Sequence, residues 1–282
     1  MSNRSKWSLI GIPDHEGVLN VGGRIGAARG PECFRKVFSR LTGRNDVRES
    51  MLDLGDVLVD PKIEMTHRQA ADRIAAACKT STSLVVIGGG HDHGYSHLLG
   101  VAQSLKSGMR LGCLNIDAHL DVRNATPVIT SGSPFYLAIE NKVVEPAHFV
   151  EFGIQSHCNG KALWDYIDAH KIEVVGFEKL RGGKAVGAFA KALQDLSARV
   201  DVIAISLDLD AAAEAFAPGV SAPQAEGFTG SEIIEMMEVA GREKKATSLG
   251  IFELNPEHDI DLRTARLAAT AAFHFIEARS LG

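Results

Sequence analysis

Three residues with metal-binding side chains directly follow an apolar run at 111–116. Asp117, His119 and Asp121 occupy alternate positions there. If strand geometry persists through them, all three side chains point to one side. Carboxylate oxygen and imidazole nitrogen together suit a divalent ion of borderline hardness. An isolated Asp-x-His more often marks the solvated end of a strand, so the metal interpretation depends on ligands from elsewhere in the chain.

A second apolar run, at 203–207, ends in two acids at alternate positions, Asp208 and Asp210. Two carboxylates on the same side of a strand raise each other's pKa, and a cation removes that conflict. Helix capping or solvation is the usual explanation of Asp-x-Asp, but no helical pattern begins at these residues. The pair is therefore a second candidate set of ligands.

A third run, at 84–87, leads through three glycines into His91, Asp92 and His93. The glycines permit a tight turn that brings an imidazole close to a bound group. We expect His91 to be the ligand, with His93 behind it or in solvent. The glycine spacing matches neither G-x-G-x-x-G nor G-x-x-x-x-G-K-S/T, which disfavours a phosphate- or nucleotide-binding protein.

The three stretches together predict one metal centre with ligands His91, Asp117, His119, Asp121, Asp208 and Asp210. Six ligands with four carboxylates are too many, and too rich in oxygen, for a structural zinc site. They suit two Mn²⁺-like ions about 3.5–4 Å apart, which share bridging carboxylates and a solvent-derived hydroxide.

Alternating strands and helices must position these ligands. Apolar runs predict strands near residues 7–12, 51–58, 83–88, 110–116, 148–154, 172–176, 201–207 and 246–253. Helical periodicity marks 31–41, 65–79, 94–106, 160–170, 184–198, 230–241 and 262–279. Strands that are apolar on both faces indicate a mostly parallel sheet covered by helices on each side. We expect a three-layer α/β/α sandwich of about eight strands, in a single domain over residues 1–282.

Three long connections, at 13–30, 118–134 and 209–228, each follow a predicted strand. Connections of this length without regular structure are uncommon and are often functional. In an open parallel sheet the ligand site lies beyond the carboxyl ends of the strands, where these connections begin.

The composition excludes several classes of function. The chain has 282 residues, of which 45% are hydrophobic and 23% charged, as in ordinary globular proteins. A formal net charge of −5 leaves no basic stripe for a nucleic acid. No apolar run approaches the length of about 20 residues that spans a bilayer, so no membrane partner is expected. Cys33, Cys78, Cys113 and Cys158 form no C-x-x-C pair and no apolar signal segment opens the sequence, which predicts the reducing cytoplasm.

Four motifs resemble, in order and separation, the signatures of the ureohydrolase (arginase/agmatinase) family. They are His91 after its glycines, Asn115-Ile116-Asp117-Ala118-His119-Leu120-Asp121, Ser206-Leu207-Asp208-Leu209-Asp210, and Phe252-Glu253-Leu254-Asn255-Pro256. The resemblance extends over nearly the whole chain. It implies the arginase-like fold, two Mn²⁺ ions per subunit, hydrolysis of an amidine or guanidine C–N bond, and a homo-oligomer of three or six subunits.

Finer features resemble one branch of the family, the formimidoylglutamases of histidine degradation. They include Gly88-Gly89-Gly90-His91, Ser131-Gly132-Ser133-Pro134-Phe135 and Ala217-Pro218-Gly219-Val220-Ser221-Ala222-Pro223. This branch implies hydrolysis of N-formimidoyl-L-glutamate to glutamate and formamide by a metal-bridging hydroxide. Arginases have a proton-shuttling histidine where Phe135 stands, which disfavours arginase. Agmatinase, guanidinobutyrase and a non-catalytic metal-binding relative remain alternatives.

The sequence departs from the pattern of this branch at two places, and neither departure removes a proposed ligand. Ala213-Glu214 replaces the usual Asp-Pro after the second acid pair, and Asp92 stands where a glutamate is commoner.

The expected reaction assigns roles to further side chains. Asp121, besides being a ligand, would accept a proton from the attacking water, and Glu253 would orient the amidine nitrogens. Arg123 has the bidentate fork that binds a substrate carboxylate, although a plain surface arginine is an equal alternative. Weaker candidates for substrate binding are Gln155, Asn159, Arg24 and Asn20.

Overall fold

Each of the eight apolar runs forms a strand in the computed structural model, which describes residues 7–43 and 47–281. The strands are β1 (Trp7–Gly11), β2 (Met51–Asp56), β3 (Leu84–Ile87), β4 (Leu111–Ile116), β5 (Phe149–Ile154), β6 (Glu173–Gly176), β7 (Val202–Asp208) and β8 (Ala246–Phe252). They make one sheet in the order β2-β1-β3-β8-β7-β4-β5-β6. Every neighbouring pair of these strands is parallel, as the apolar pattern on both faces predicts.

Helices cover both faces of the sheet. They are α1 (Glu16–Asn20), α2 (Gly30–Phe38), α3 (Ile63–Thr80), α4 (His93–Ser104), α5 (Pro134–Glu140), α6 (Lys161–His170), α7 (Ala185–Arg199), α8 (Gly230–Arg242) and α9 (Arg263–Leu281). The short helix α1 lies inside the connection predicted at 13–30, whereas α5 begins at Pro134, the last residue of the connection predicted at 118–134, and extends beyond it. At five and seven residues they are too short to show helical periodicity. Pro134 in the first turn of α5 is the local sequence signal for the start of this helix.

Two apolar layers confirm the predicted α/β/α sandwich. One packs α2, α7, α8 and α9 on the sheet and includes Phe34, Phe189 and Phe275. The other packs α3, α4, α5 and α6 on the opposite face and includes the buried thiol of Cys113. None of the helices in residues 7–43 and 47–281 has both the length and the apolarity needed to cross a membrane.

The strand order places the candidate ligands together. Strands β3, β8, β7 and β4 are consecutive neighbours in the middle of the sheet. The three candidate motifs follow β3, β7 and β4, and Glu253 follows β8, so all four leave the sheet at its carboxyl edge. Residues distant in the sequence thereby converge on one crevice, as expected for an open parallel sheet.

Candidate metal centre

The glycine-rich turn after β3 presses against another loop and fixes the position of His91. A Cβ atom on Gly89 would lie 1.5 Å from the carbonyl oxygen of Asp14, so only glycine fits there. The imidazole of His91 stacks on Phe252, with ring centroids 5.0 Å apart, and meets the edge of Phe135 at 5.4 Å. The aromatic rings therefore hold the imidazole in one orientation over the end of the sheet.

The expectation that strand geometry aligns Asp117, His119 and Asp121 is wrong. Strand β4 ends at Ile116, and the three residues lie on a bent loop in which Asp121 has φ +45°, a left-handed conformation that side chains disfavour. Such backbone strain is typical of functional sites. The loop, and not the alternation of a strand, brings these three side chains to the crevice.

A turn also replaces the expected strand at the second acid pair. Strand β7 ends at Asp208, and Asp210 lies in the 3₁₀ turn that follows. The backbone N–H of Asp210 donates a hydrogen bond of 2.9 Å to Asp208 Oδ1. The turn directs the two acids into different groups of side chains, described next. The two ligands are present as predicted, but the predicted local geometry is wrong.

The first group of donors surrounds His91. Its Nδ1 lies 3.1 Å from Asp117 Oδ2, 2.9 Å from Asp121 Oδ2 and 3.0 Å from Asp208 Oδ2. All four side chains are buried. The opposite ring nitrogen, Nε2, is 2.9 Å from the hydroxyl of Ser206, a contact that leaves Nδ1 facing the acids.

The second group of donors surrounds His119. Its Nδ1 lies 3.5 Å from Asp117 Oδ1 and 3.1 Å from Asp210 Oδ2. Asp117 therefore contributes one oxygen to each group, which places the two groups side by side. Asp117 is therefore the one acid that would contact both ions if each group held one.

Burial and repulsion between neighbouring carboxylates raise the pKa of three of the four acids in the site. Burial and the neighbouring Asp117 raise the pKa of Asp121 to about 6, and the same two causes raise the pKa of Asp208. Burial and Asp208 raise the pKa of Asp210. Burial would also raise the pKa of Asp117, but its contacts with His119 and His91 outweigh this and lower it. Four carboxylates packed this closely are destabilised unless positive charge is placed between them.

The donors fit a pair of divalent cations. Three carboxylate oxygens converge on His91 Nδ1, yet that nitrogen makes no hydrogen bond to any described residue. A single N–H could serve only one of the three oxygens, whereas a cation accepts all of them together with the nitrogen. Four ionised carboxylates also balance the charge of two divalent ions, and an oxygen-rich set with one imidazole per group suits Mn²⁺.

Glu253 lies beside this centre, directly after β8. Its backbone has φ +65°, and its Oε1 accepts a hydrogen bond of 2.9 Å from the backbone N–H of His91. Burial and the neighbouring Asp208 raise the pKa of this carboxyl to about 8. A buried acid beside the metal ligands, on strained backbone, is a candidate for contact with substrate.

A cavity of about 130 Å³ opens over the candidate ligands. It is lined by Val21, Gly23, His91, His119, Asp121, Arg123, Ser131, Gly132, Asp208, Asp210, Ser221, Ala222 and Glu253. The exposed side chain of Arg123 lies against Gly132 at its mouth. The Arg123 guanidinium makes no hydrogen bond or ion pair with the residues described, so it is free to bind an anion.

The other four predicted substrate-binding residues do not line the cavity, and their polar groups bind backbone. Asn20 Nδ2 donates to the carbonyl of Ile129, Arg24 Nη2 to those of Pro218 and Val220, and Gln155 Nε2 to that of Glu226. Asn159 accepts the N–H of Leu120 at 2.8 Å and donates to the carbonyls of Ala118 and Gln155. Asn159 therefore supports the loop that carries the ligands, and substrate contact by any of the four stays a prediction.

Sequence analysis did not find a buried network behind His91. His93 Nε2 lies 3.0 Å from Asp14 Oδ2, and His67 Nε2 lies 2.8 Å from Asp92 Oδ2. These contacts tie the connection before α1, helix α3 and the start of α4 to the glycine-rich turn. His93 is thus buried behind the ligand loop, one of the two positions expected for it, and is not in solvent.

A parallel α/β sheet with adjoining His/Asp groups at its carboxyl edge is the architecture of a metal-dependent enzyme. The model of the arginase family matches residues 5–277, and the chain belongs to the arginase family.

Two curated relatives and one solved structure are particularly similar to the chain. It is 34% identical to a formimidoylglutamase of Hahella chejuensis over an aligned region of 273 residues. This region covers 94% of this chain and 83% of that protein. The chain is 31% identical over 281 residues to a formimidoylglutamase of Staphylococcus aureus, covering 98% and 87%. Its fold matches a crystal structure of Trypanosoma cruzi formiminoglutamase with Mn²⁺₂ at a TM-score of 0.88 and 27% identity, covering 99% of this chain and 94% of that one.

Proposed function

We propose that this protein hydrolyses the amidine C–N bond of N-formimidoyl-L-glutamate, releasing glutamate and formamide, and that it requires two Mn²⁺ ions. The observation that carries the proposal is the pair of donor groups that share Asp117 below a cavity with a free arginine at its mouth. The names of the two curated relatives and of the solved structure support the choice of substrate. The whole chain, 1–282, acts as one arginase-type domain.

In this proposal His91, Asp117, Asp121 and Asp208 would hold one ion, and Asp117, His119 and Asp210 would hold the other. Such a pair of ions, when bound, lowers the pKa of a shared water and so supplies a nucleophile at neutral pH. The protein's own contribution is to keep the ligands at fixed distances and to bury them.

Asp121 accepts the proton of the attacking water. Its carboxyl lines the cavity and belongs to the group of donors around His91, so it would lie within reach of a water held at the metal centre. Glu253 orients the amidine, since its carboxyl lines the same cavity and can accept N–H donors.

Arg123 binds a carboxylate of the substrate. Its guanidinium lies at the mouth of the cavity, so an acidic substrate extends from the metal centre toward it. A positive charge there repels a basic substrate such as agmatine. Phe135, buried against His91, cannot carry protons as a histidine would, which argues against arginase activity.

The setting of the reaction follows from this substrate. Its hydrolysis belongs to histidine degradation, and we place it in the cytoplasm, in a homo-oligomer of three or six subunits.

The test is a substrate panel. Purified protein with added Mn²⁺ is assayed against N-formimidoyl-L-glutamate, arginine, agmatine and guanidinobutyrate, following formamide or urea release. We expect hydrolysis of formimidoylglutamate to exceed that of each guanidine by at least about 100-fold in kcat/KM, a lower bound because a site built to hydrogen-bond a substrate group rejects analogues that lack it by about 10⁴- to 10⁵-fold. Preferred hydrolysis of a guanidine would reject the substrate, and no hydrolysis of any of the four would reject the reaction.

A further inference from the structure

A fully buried acid that is not a proposed ligand lies under the metal centre. Glu151 is in the middle of β5 with 0% exposure, and its cross-strand partner is Asn115 on β4. Asn115 is also fully buried and precedes Asp117 by two residues. A buried carboxyl is costly unless it is hydrogen-bonded, so its partners indicate its purpose.

The carboxyl groups of Glu151 and Asp117 both accept a hydrogen bond from the side-chain amide of Asn115. Its Nδ2 donates to Glu151 Oε2 over 2.9 Å and to Asp117 Oδ2 over 3.2 Å. Reversing the amide would turn its oxygen toward two acceptors, so these contacts fix its orientation. One N–H of the amide is thereby aimed at the acid that both donor groups share.

Two atoms of this arrangement have no hydrogen-bonding partner among the described residues. They are Asn115 Oδ1 and Glu151 Oε1, and both are buried. A buried acceptor without a hydrogen-bonding partner destabilises the folded protein. If Glu151 were ionised, both atoms would be acceptors and neither could satisfy the other.

We propose that Glu151 is a positioning residue that is neutral in the folded protein and forms a cyclic pair with the amide of Asn115. In this pair the amide N–H donates to Glu151 Oε2, and the carboxylic O–H at Oε1 donates to Asn115 Oδ1. One proton satisfies both partnerless atoms. The other amide N–H is then held on Asp117 Oδ2, the oxygen that faces His91.

The surroundings of Glu151 favour its neutral form. Burial raises the pKa of this carboxyl well above its usual range. Its hydrogen-bonding partner is a neutral amide and not a cation. A neutral acid also adds no further negative charge beneath the four carboxylates of the metal centre.

The consequence for metal binding rests on the proposed function. Partners behind a metal ligand orient it, and their loss typically lowers metal affinity or activity about 10- to 100-fold. The cyclic pair supports Asp117, the single acid that belongs to both groups of donors. Loss of the pair should therefore weaken the binding of both ions.

Two substitutions separate a neutral acid from an anion. Glu151→Gln keeps the shape and both hydrogen bonds, because its amide can donate to Asn115 Oδ1 and accept from Nδ2. Glu151→Met keeps a similar volume and removes both bonds. By calorimetric titration with Mn²⁺, we expect E151Q to bind within about threefold of the wild type and E151M about 10- to 100-fold more weakly. Equal weakening in both variants would show that the negative charge matters, and unchanged binding in E151M would show that no positioning occurs; either result overturns the proposal.

Infrared difference spectroscopy of the metal-free protein gives a second readout. At pH 7 we expect the carbonyl stretch of a protonated carboxyl in the wild type that is missing from E151Q. If that difference band is absent, the proposal is rejected, even where E151M does not fold. Because the measurement needs neither metal nor substrate, it tests the pair even if the proposed reaction is wrong.

Discussion

Replacing Arg123 by alanine should weaken the binding of an acidic substrate without slowing the chemical step. The guanidinium lies at the cavity mouth with no hydrogen bond or ion pair to a described residue. Its removal therefore leaves no buried partner unsatisfied. The side chain is exposed, so we also expect little change in the free energy of unfolding.

The size of the effect follows from the kind of contact. A hydrogen bond to a charged group contributes about 1.5–3 kcal/mol, which corresponds to about 10- to 150-fold in an equilibrium constant. Because solvent screens an exposed ion pair, the lower end applies. We expect KM for N-formimidoyl-L-glutamate to rise about tenfold, with kcat within about threefold of the wild type.

Two comparisons make the assay specific to Arg123. Arg123→Lys keeps the charge but lacks the bidentate fork, so its KM should fall between those of the wild type and R123A. A formimidoyl amine without carboxylates should be hydrolysed equally by the wild type and R123A. An unchanged KM for the acidic substrate in R123A, measured by initial rates of formamide release, would refute the carboxylate contact.

Three further perturbations test the metal centre and its support. Asp208→Asn replaces one of the three carboxylate oxygens around His91 Nδ1. Metal analysis after gel filtration should then find fewer than two Mn²⁺ per subunit, and activity should fall at least about 100-fold. Two retained ions would contradict the ligand assignment. Removal of metal by a chelator should lower Tm, and Mn²⁺ at 100 times its Kd should restore about 2.7 kcal/mol of unfolding free energy for each bound ion, whereas a Tm indifferent to Mn²⁺ would argue against binding. Asn159→Ala removes the bonds to Leu120 N and the Ala118 carbonyl, which should cost about 1–3 kcal/mol in urea denaturation and weaken Mn²⁺ binding; full stability would show that the loop holds itself.

The pattern of apolar runs was sufficient to predict the eight strands of the described residues. The six inner strands are buried on both faces and are therefore mostly apolar, whereas the edge strands β2 and β6 are more exposed but still follow short apolar runs. The six candidate ligands were also found by type and spacing, and the structure gathers them into two adjoining groups. The short helices α1 and α5 were not found, since five and seven residues leave too little pattern to recognise.

The local geometry of the ligands could not be predicted from spacing. Strand geometry was expected to continue through Asp121 and Asp210, but the chain turns after Ile116 and after Asp208, and Asp121 takes a left-handed conformation. The polar loop residues were equally ambiguous. Arg123 lies free at the cavity mouth, whereas Arg24 donates to backbone carbonyls far away in the sequence. Whether a loop arginine binds substrate or backbone depends on which loops meet.

The sequence by itself determined which elements form and which side chains can bind a cation, since both depend on residues close together in the chain. Tertiary structure alone decided that Asp117 belongs to both donor groups and that Glu151 and Asn115 pair beneath it. The physical reason is that contact and burial arise from the order of the strands in the sheet. A carboxyl on β5 becomes a support for the metal centre only because β5 lies beside β4.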